Sequence, residues 1–393
     1  MPVEFESEMT NPETTTVFAG LDRQTSASLP EWYARRRTVE NLTTFSAAVR
    51  DLPQATTSEV AYRNPYTDEW VQTDRHNAVV EPTRLADQTD GETAEDPLFF
   101  IPTDSYSVIN PVDIFGPLEA VLCEETIDGQ SLAAVMFGEV RQYRGGGEVH
   151  MDLLFDGLSI DLPGRTDPIT MGVTSGYDYF GGHAVYVEGF ARDGYCANSI
   201  RQLTDRERVK HVGDVGDFET WWESILGQLG LVADDLLAFI EDASDITVDF
   251  TQVPFDVAEF YTLLEYPEYL AERAARDALA EAANPTEIDM WTLHSGVTYA
   301  LTHFFSGKEG AALDQYVRTA NDVLFNPQAT IETVTRTYQE QAAAETDTEG
   351  QTELESQIAL AQLDRVGQDV RQKAEQFETR ETTLRERLAD GGE

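Results

Sequence analysis

Lysine is nearly absent from this chain. Only Lys210, Lys308 and Lys373 occur, so arginine supplies the other 24 of the 27 basic residues. Against them stand 72 aspartates and glutamates, which give a formal net charge of −45 at pH 7. Charge repulsion of this size destabilises a compact chain at ordinary salt. The shortage of basic residues therefore argues against a dilute cytosol as the working solvent.

Cysteine and long apolar runs are also scarce. The two cysteines, Cys123 and Cys196, cannot form a disulfide framework, and no paired CxxC motif suggests zinc. No run approaches the roughly 20 apolar residues that cross a bilayer. The opening residues "MPVEFESEMT" lack the basic and apolar regions of a secretory signal. We therefore expect no membrane partner, and a cytoplasmic protein unless it is packaged into a virion.

Apolar residues are present in ordinary amounts. They make up 41% of the chain and aromatics 10%, which is enough to build a core. The acidic residues are spread along the whole chain, without the acidic block that a basic partner would favour. At about 1 M salt the Debye length falls to roughly 3 Å, so the repulsion between surface charges is almost fully screened. The composition therefore predicts a salt-accumulating host, a haloarchaeon.

The order of the patterns predicts an α+β fold. Antiparallel β hairpins forming a sheet are expected in the N-terminal half, followed by a helical C-terminal half and a terminal amphipathic helix. We divide the chain into a polar segment (1–55), a core domain (56–340) and a linker with a helical tail (341–393). Within the core, 56–195 is rich in hairpins and 196–340 is helical.

The densest basic segment lies in "CANSIRQLTDRERVKHV", which we predict to be helical. Its five candidate phosphate-binding residues are Arg201, Arg206, Arg208, Lys210 and His211. Asp205 and Glu207 interleave with them, so local ion pairing on a helix surface is the plainer interpretation.

Aromatic residues crowd the turn in "TSGYDYFGGHAV". Tyr177, Tyr179 and Phe180 form an exposed platform for stacking bases in one interpretation, and pack over the hairpin in the other. In high salt, counterion release contributes little to nucleic-acid binding, so stacking must carry more of the affinity.

Catalytic and metal-binding patterns are weak. Cys196 precedes His211 by 15 residues without a base-orienting motif, so it is better explained as a small buried side chain than as a nucleophile. No HxxxH or HExxH motif occurs among the six histidines. We predict no metal site, no cofactor and no catalytic residues, and an enzyme using Cys196, His211 or Asp178 is the least supported class.

The tail carries a marginal heptad pattern. Leu363, Val370, Phe377 and Leu384 recur every seven residues, but Lys373 and Arg380 interrupt the companion positions. The predicted helix at 354–388 is therefore a candidate for contact with another copy or another protein.

Several short motifs, taken in order, resemble the plasmid- and phage-associated prokaryotic domain-of-unknown-function family 932. The motifs are "SYSVINPVDIF", "GYDYFGGHAVYVEGFARDGYCANSI", "KHVGD" and "WTLHSGVTYALTHFF". The matching family positions are Asp178, Cys196, Asn198 and His303, with Lys210–His211 and Val297–Thr298 beside them. Ser295–Gly296 departs from the family pattern. The resemblance spans roughly residues 60 to 330 and implies a plasmid, provirus or virus setting, without assigning an activity.

Two functions follow as hypotheses. The first is a non-enzymatic protein of a haloarchaeal mobile element that binds or anneals single-stranded nucleic acid in high salt. The alternative is a structural or interaction protein, associated with a virion or a partner, that assembles through its C-terminal helix.

Overall fold

The computed structural model describes residues 12–35, 39, 42–89, 96–127, 129–161, 167–182, 184–194, 199–200, 207–209, 217–305 and 311–346. Within them the α+β prediction is confirmed, with the main strands in the N-terminal half and helices dominating the C-terminal half. The predicted helix at 354–388 lies outside the described residues.

Most strands belong to one large sheet and one smaller sheet. The strands are β1 (Thr14–Ala19), β2 (Leu42–Thr43), β3 (Thr56–Arg63), β4 (Trp70–Val80), β5 (Leu98–Phe100), β6 (Thr126–Ile127), β7 (Gln130–Ser131), β8 (Met136–Tyr143), β9 (Glu148–Ile160), β10 (Ile169–Asp178), β11 (Val185–Asp193), β12 (Ser199–Ile200), β13 (Glu207–Val209), β14 (Thr247–Asp249) and β15 (Glu287–Asp289). The large sheet has the order β12-β11-β10-β9-β8-β1-β2, with β13 also on β11, and the smaller sheet has the order β3-β4-β5.

The longer helices come mostly after the main strands along the chain, and the other helices lie between strands. They are α1 (Glu31–Ala34), α2 (Phe45–Arg50), α3 (Pro82–Thr89), α4 (Pro111–Glu124), α5 (Leu132–Val135), α6 (Phe218–Asp245), α7 (Val257–Leu263), α8 (Glu268–Glu281), α9 (Met290–Phe304), α10 (Ala311–Phe325) and α11 (Pro327–Thr346). Local capping explains several starts. Asp256 and Glu259 form a capping box at α7, and the Asp289 carboxylate accepts from the Thr292 N–H at 2.7 Å to begin α9.

Three hairpins lie within residues 56–195, the segment that the sequence predicts to be rich in hairpins. The RGGGE turn joins β8 to β9, and the aromatic turn joins β10 to β11. The third hairpin, around Asn64–Pro65, joins β3 to β4, and its strands are 8 and 11 residues long. Alternating apolar residues and turn-forming glycine, proline and asparagine were sufficient signals for all three.

The predicted basic helix at 196–212 is wrong in its described parts. Ser199–Ile200 and Glu207–Val209 are instead short strands, and both pair antiparallel with β11. These strands satisfy N–H and C=O groups that β11 would otherwise leave unpaired at the sheet edge. Tertiary pairing therefore overrides the local helical spacing.

The chain forms two compact units. The first contains the described residues up to Ser159, Thr170–Phe190 and the described residues from 207 to Leu229. Its sheet carries an apolar cluster made by Val17, Ala19, Tyr33, Phe137, Leu154 and Phe190. The strand β1 lies inside this sheet, so part of the polar N-terminal segment contributes to the core.

The second unit contains Ile160–Ile169, described residues between 191 and 200, and those from Gly230 to 346. Its helices α7, α8 and α9 pack closely, and the Tyr261 hydroxyl donates to the Leu293 carbonyl at 2.8 Å. Gly296 allows the close approach of α9 to α8, because an added Cβ would lie 2.5 Å from the Ala274 carbonyl oxygen.

Candidate functional site

The predicted basic segment is described only in part. Arg208 lies in β13, is exposed and stands opposite Tyr186 of β11. Four further candidates, Arg201, Arg206, Lys210 and His211, lie outside the described residues, as do the family positions Cys196 and Asn198. Phosphate binding by this segment therefore stays a prediction.

Two aromatic residues of the β10–β11 turn are buried. Tyr177 and Tyr179 are both 0% exposed, and their ring centroids lie 5.0 Å apart. The Tyr179 hydroxyl donates to the Asn110 side-chain oxygen at 2.8 Å, and its ring stacks on Phe99. Burial raises the pKa of both hydroxyls. These two side chains therefore pack over the hairpin, and they do not form an exposed platform.

The rest of that turn is organised by Asp178 and Phe180. The Asp178 carboxylate accepts from the Phe180 N–H at 2.7 Å and the Gly182 N–H at 2.8 Å. Phe180 is half-buried, and the Arg144 guanidinium lies 3.3 Å above its ring centroid. Asp178 therefore closes the hairpin, and Phe180 is covered on one face by a cation.

A buried ionic network lies on one face of the large sheet. The Arg141 guanidinium donates to Glu139 at 2.6 Å and to Asp152 at 2.7 Å, and the Tyr33 hydroxyl donates to Glu139 at 3.3 Å. Both carboxylates are at most 3% exposed. No sequence motif predicted a site at Arg141. Its alternation with Glu139 in a buried strand was the signal for a polar sheet face.

The network continues through a histidine. The His150 ring lies between the Tyr186 hydroxyl, at 2.9 Å, and Glu148, at 3.4 Å. Hydroxyl, imidazole and carboxylate in this order resemble a proton relay. His150 is 2% and Tyr186 4% exposed, however, and their polar atoms bind each other. These contacts are what buried polar groups require in any folded chain, so they support a structural role.

The second unit, which contains α7, α8 and α9, holds another group of titratable residues. Burial, with a contribution from Glu281, raises the pKa of Asp277 to about 7. Glu281 in turn accepts from the Ser295 hydroxyl at 3.0 Å. On α9, His303 is exposed near the C-terminal end, whereas His294 is fully buried. The two histidines therefore share no environment, as their nine-residue separation in one helix predicts.

Among the described residues, the most exposed aromatic side chains lie on a different hairpin, which we call the ribbon (residues 56–80). Tyr66 is 96% exposed, Trp70 72% and Tyr62 52%. Most of the ribbon is exposed on both faces, and only its base at Val79 and Val80 is buried. The sequence predicted this hairpin but not its projection from the core, because exposure depends on what the rest of the chain leaves uncovered.

The end of the ribbon is held by local hydrogen bonds. The Asn64 side-chain oxygen accepts from the Tyr66 N–H at 2.9 Å, and the Asp68 N–H donates to the Asn64 carbonyl at 2.9 Å. Arg63 stands directly opposite Trp70 and donates to Asp68 at 2.6 Å, while its side chain stays 59% exposed. We call Arg63, Tyr66 and Trp70 the aromatic tip. It presents two rings and one cation on an ordered turn.

Two other kinds of site are absent from the described ranges. No described helix is long and apolar enough to cross a membrane. No group of three or more histidine, cysteine, aspartate or glutamate side chains there is arranged to hold a metal ion.

No protein-family model matches this chain, and no curated protein or solved structure is significantly similar to it. The resemblance to family 932 therefore stays a prediction, and we infer a function from the geometry of the chain itself.

Proposed function

We propose that this is a non-enzymatic protein of a haloarchaeal mobile element that binds single-stranded nucleic acid in high salt through the aromatic tip. The observation that carries the proposal is the exposure of Tyr66 and Trp70, at 96% and 72%, on a locally ordered turn. A cytoplasmic or virion-associated location is part of the same proposal.

Stacking is the interaction that the tip can supply. Single-stranded bases stack on tyrosine and tryptophan rings, and each such contact is worth about 1–3 kcal/mol. The two rings are separate and lie at the end of a narrow ribbon, which suits individual unpaired bases better than a duplex. Because Asn64 already orders the turn, little conformational entropy is lost when a base binds.

The net charge of the chain makes nucleic-acid binding depend on the salt concentration. A chain with a net charge of −45 repels phosphate at low salt, and Asp68 and Glu69 add to this at the tip. At about 1 M salt the repulsion extends only roughly 3 Å, and stacking is not lost with it. Arg63 then provides a cation beside Trp70 for one phosphate or one base face.

The setting is inferred from the composition and the family resemblance. The acidic coat, with three lysines, supports a salt-accumulating host. The ordered motifs around Asp178, Cys196 and His303 support a plasmid, provirus or virus setting. Neither of these depends on the ribbon, so they can fail without affecting the binding proposal.

Fluorescence polarisation of a short labelled oligothymidine in about 2 M KCl tests the proposal. We expect Trp70→Ala and Tyr66→Ala each to weaken binding about ten-fold, since each removes one stacking ring. Tyr269→Ala is the matched control, because Tyr269 is an aromatic residue 43% exposed on α8. A duplex of the same sequence should bind more weakly than the single strand.

Salt dependence gives a second readout. A basic nucleic-acid-binding protein loses affinity steeply as salt rises. Here we expect the affinity to hold or rise from about 0.5 to 3 M KCl, because repulsion is screened while stacking persists. Absence of binding in this range, or equal affinity for wild type and both tip variants, would contradict the proposal. A loss on Arg206→Glu with Arg208→Glu instead would assign binding to the basic segment.

A further inference from the structure

The ribbon has a second exposed feature, the outer edge of β3. This strand ends the β3-β4-β5 sheet among the described strands, and seven of its eight residues are exposed. Natural edge strands are commonly blocked by proline, lysine or bulges. The sequence "TTSEVAYR" contains neither residue, and the irregularity between Glu59 and Val60 places its extra residues on β4. Among the described residues the edge of β3 is therefore open along its length.

The backbone direction at this edge follows from the turn. The Asn64 N–H donates to the Glu69 carbonyl across the ribbon at 2.8 Å. Because hydrogen-bonding direction alternates along an antiparallel strand, Tyr62 also faces β4, whereas Ala61 and Arg63 point their N–H and C=O groups outward. Ala61 is the middle residue of 59–63, the part of β3 nearest the aromatic tip.

We propose that β3 pairs antiparallel with β3 of a second copy of this chain, with Ala61 opposite the partner's Ala61. A two-fold axis through this pair keeps matching side chains on the same face of the joined sheet. It also brings outward-pointing backbone groups together, so the pair at Ala61 exchanges hydrogen bonds in both directions. The ribbons of the two copies would form one continuous sheet.

Side-chain complementarity selects this register and this occupant. On one face Glu59 stands opposite the partner's Arg63, and symmetry repeats the pair. On the other face Val60 stands opposite the partner's Tyr62, again twice, which covers a ring that is 52% exposed. Opposite charges and aromatic–β-branched pairs are the favourable cross-strand combinations. In the alternative register with Glu59 on the two-fold axis, Glu59 would instead stand opposite the partner's Glu59, and like charges would face each other.

The expected dimer is weak and depends on concentration. A contact made by one strand edge is smaller than a standard stable interface. Antiparallel pairing also sends the two aromatic tips in opposite directions, so dimerisation leaves Tyr66 and Trp70 open to nucleic acid, and Arg63 is the one tip residue that both interactions use. The proposal does not depend on the proposed function.

Light scattering of the full-length protein in about 2 M KCl, over a concentration series, tests the pairing. The mass should rise from 43.8 kDa toward twice that value. Ala61→Lys places two cations across the two-fold axis and should raise the dissociation constant about ten-fold or more. The matched control is Gln72→Lys, because exposed Gln72 lies opposite Ala61 on the same ribbon face but on β4. It should leave the dimer intact.

Two further variants separate pairing from misfolding. Ala61→Pro removes an outward N–H without deleting a β3–β4 hydrogen bond, so it should give a folded monomer by near-UV circular dichroism. The double variant Glu59→Arg with Arg63→Glu restores the charge pairs and should dimerise better than either single change. A wild-type monomer at every concentration would overturn the proposal. An undiminished dimer in Ala61→Lys would also overturn it and point to the predicted helix at 354–388.

Discussion

His294 is a fully buried imidazole on α9. Neither ring nitrogen has a hydrogen-bond partner among the described residues, and the ring stacks on Trp291 with centroids 5.5 Å apart. Burial lowers its pKa to about 3. Its ring is therefore neutral in the folded protein and acts as a packing group, although in the unfolded chain it titrates near 6.5.

Replacing His294 should make the fold less sensitive to acid. Between about pH 6.5 and 3 the unfolded chain binds a proton at this position and the folded chain does not, so stability falls as the pH falls. His294→Phe removes this dependence and keeps a ring against Trp291. We expect it to retain about 2 kcal/mol more stability than wild type at roughly pH 4.5.

Thermal unfolding in about 2 M KCl at neutral and acid pH measures this effect. His303→Phe is the control, because His303 is exposed on the same helix. If the stability of His294→Phe falls with acid pH as steeply as that of wild type, another group is responsible for the pH dependence.

At the scale of elements, the close packing of α8 and α9 depends on a missing side chain. An added Cβ at Gly296 would lie 2.5 Å from the Ala274 carbonyl oxygen and 2.9 Å from the Ala278 Cβ. Helix interiors normally disfavour glycine, so its presence here reflects contact between the two helices.

Two glycine substitutions should therefore change stability in opposite directions. Gly296→Ala should destabilise the fold by about 1–3 kcal/mol, since α9 must move away from α8. Gly227→Ala on α6 should stabilise by up to about 1 kcal/mol, because nothing lies within 4 Å of the added Cβ and alanine favours the helix. Chemical unfolding in high salt measures both, and a stabilising Gly296→Ala would contradict the packing argument.

Elements were more predictable than sites. Period-two alternation and turn residues predicted the hairpin-rich segment that holds the three hairpins, and period-3.6 spacing predicted the helical segment that holds α7 to α11. The strands β12 and β13 were missed because their partner, β11, supplies the order that their own residues lack. Tyr177 and Tyr179 illustrate the same limit. A turn rich in aromatics does not reveal which rings the neighbouring Phe99 and Asn110 will cover.

At the scale of the whole molecule, acidic charge links stability to salt. With a net charge of −45 the folded state gains from screening, and the Debye length falls from about 10 Å at 0.1 M to roughly 3 Å at 1 M salt. The composition thus sets the conditions under which every other measurement is meaningful.

The unfolding temperature should accordingly rise by about 10 °C or more between roughly 0.1 and 2 M KCl. Differential scanning calorimetry measures it. A sucrose series is the control, since sucrose favours burial but leaves charges unscreened. A temperature independent of KCl would refute the role assigned to the acidic surface.

The pairing of β1 with β8 has a consequence for synthesis. Ala19 stands opposite Phe137, so β1 leaves the ribosome long before its partner exists. At 5–20 residues per second, the roughly 120 intervening residues take about 6–25 s to make. During that interval Val17 and Phe18, both buried in the finished sheet, have only nearby partners made soon after them, such as Leu42 of β2 and Phe45 of α2. One edge of β1 therefore waits unpaired for β8, the strand that it meets in the finished sheet.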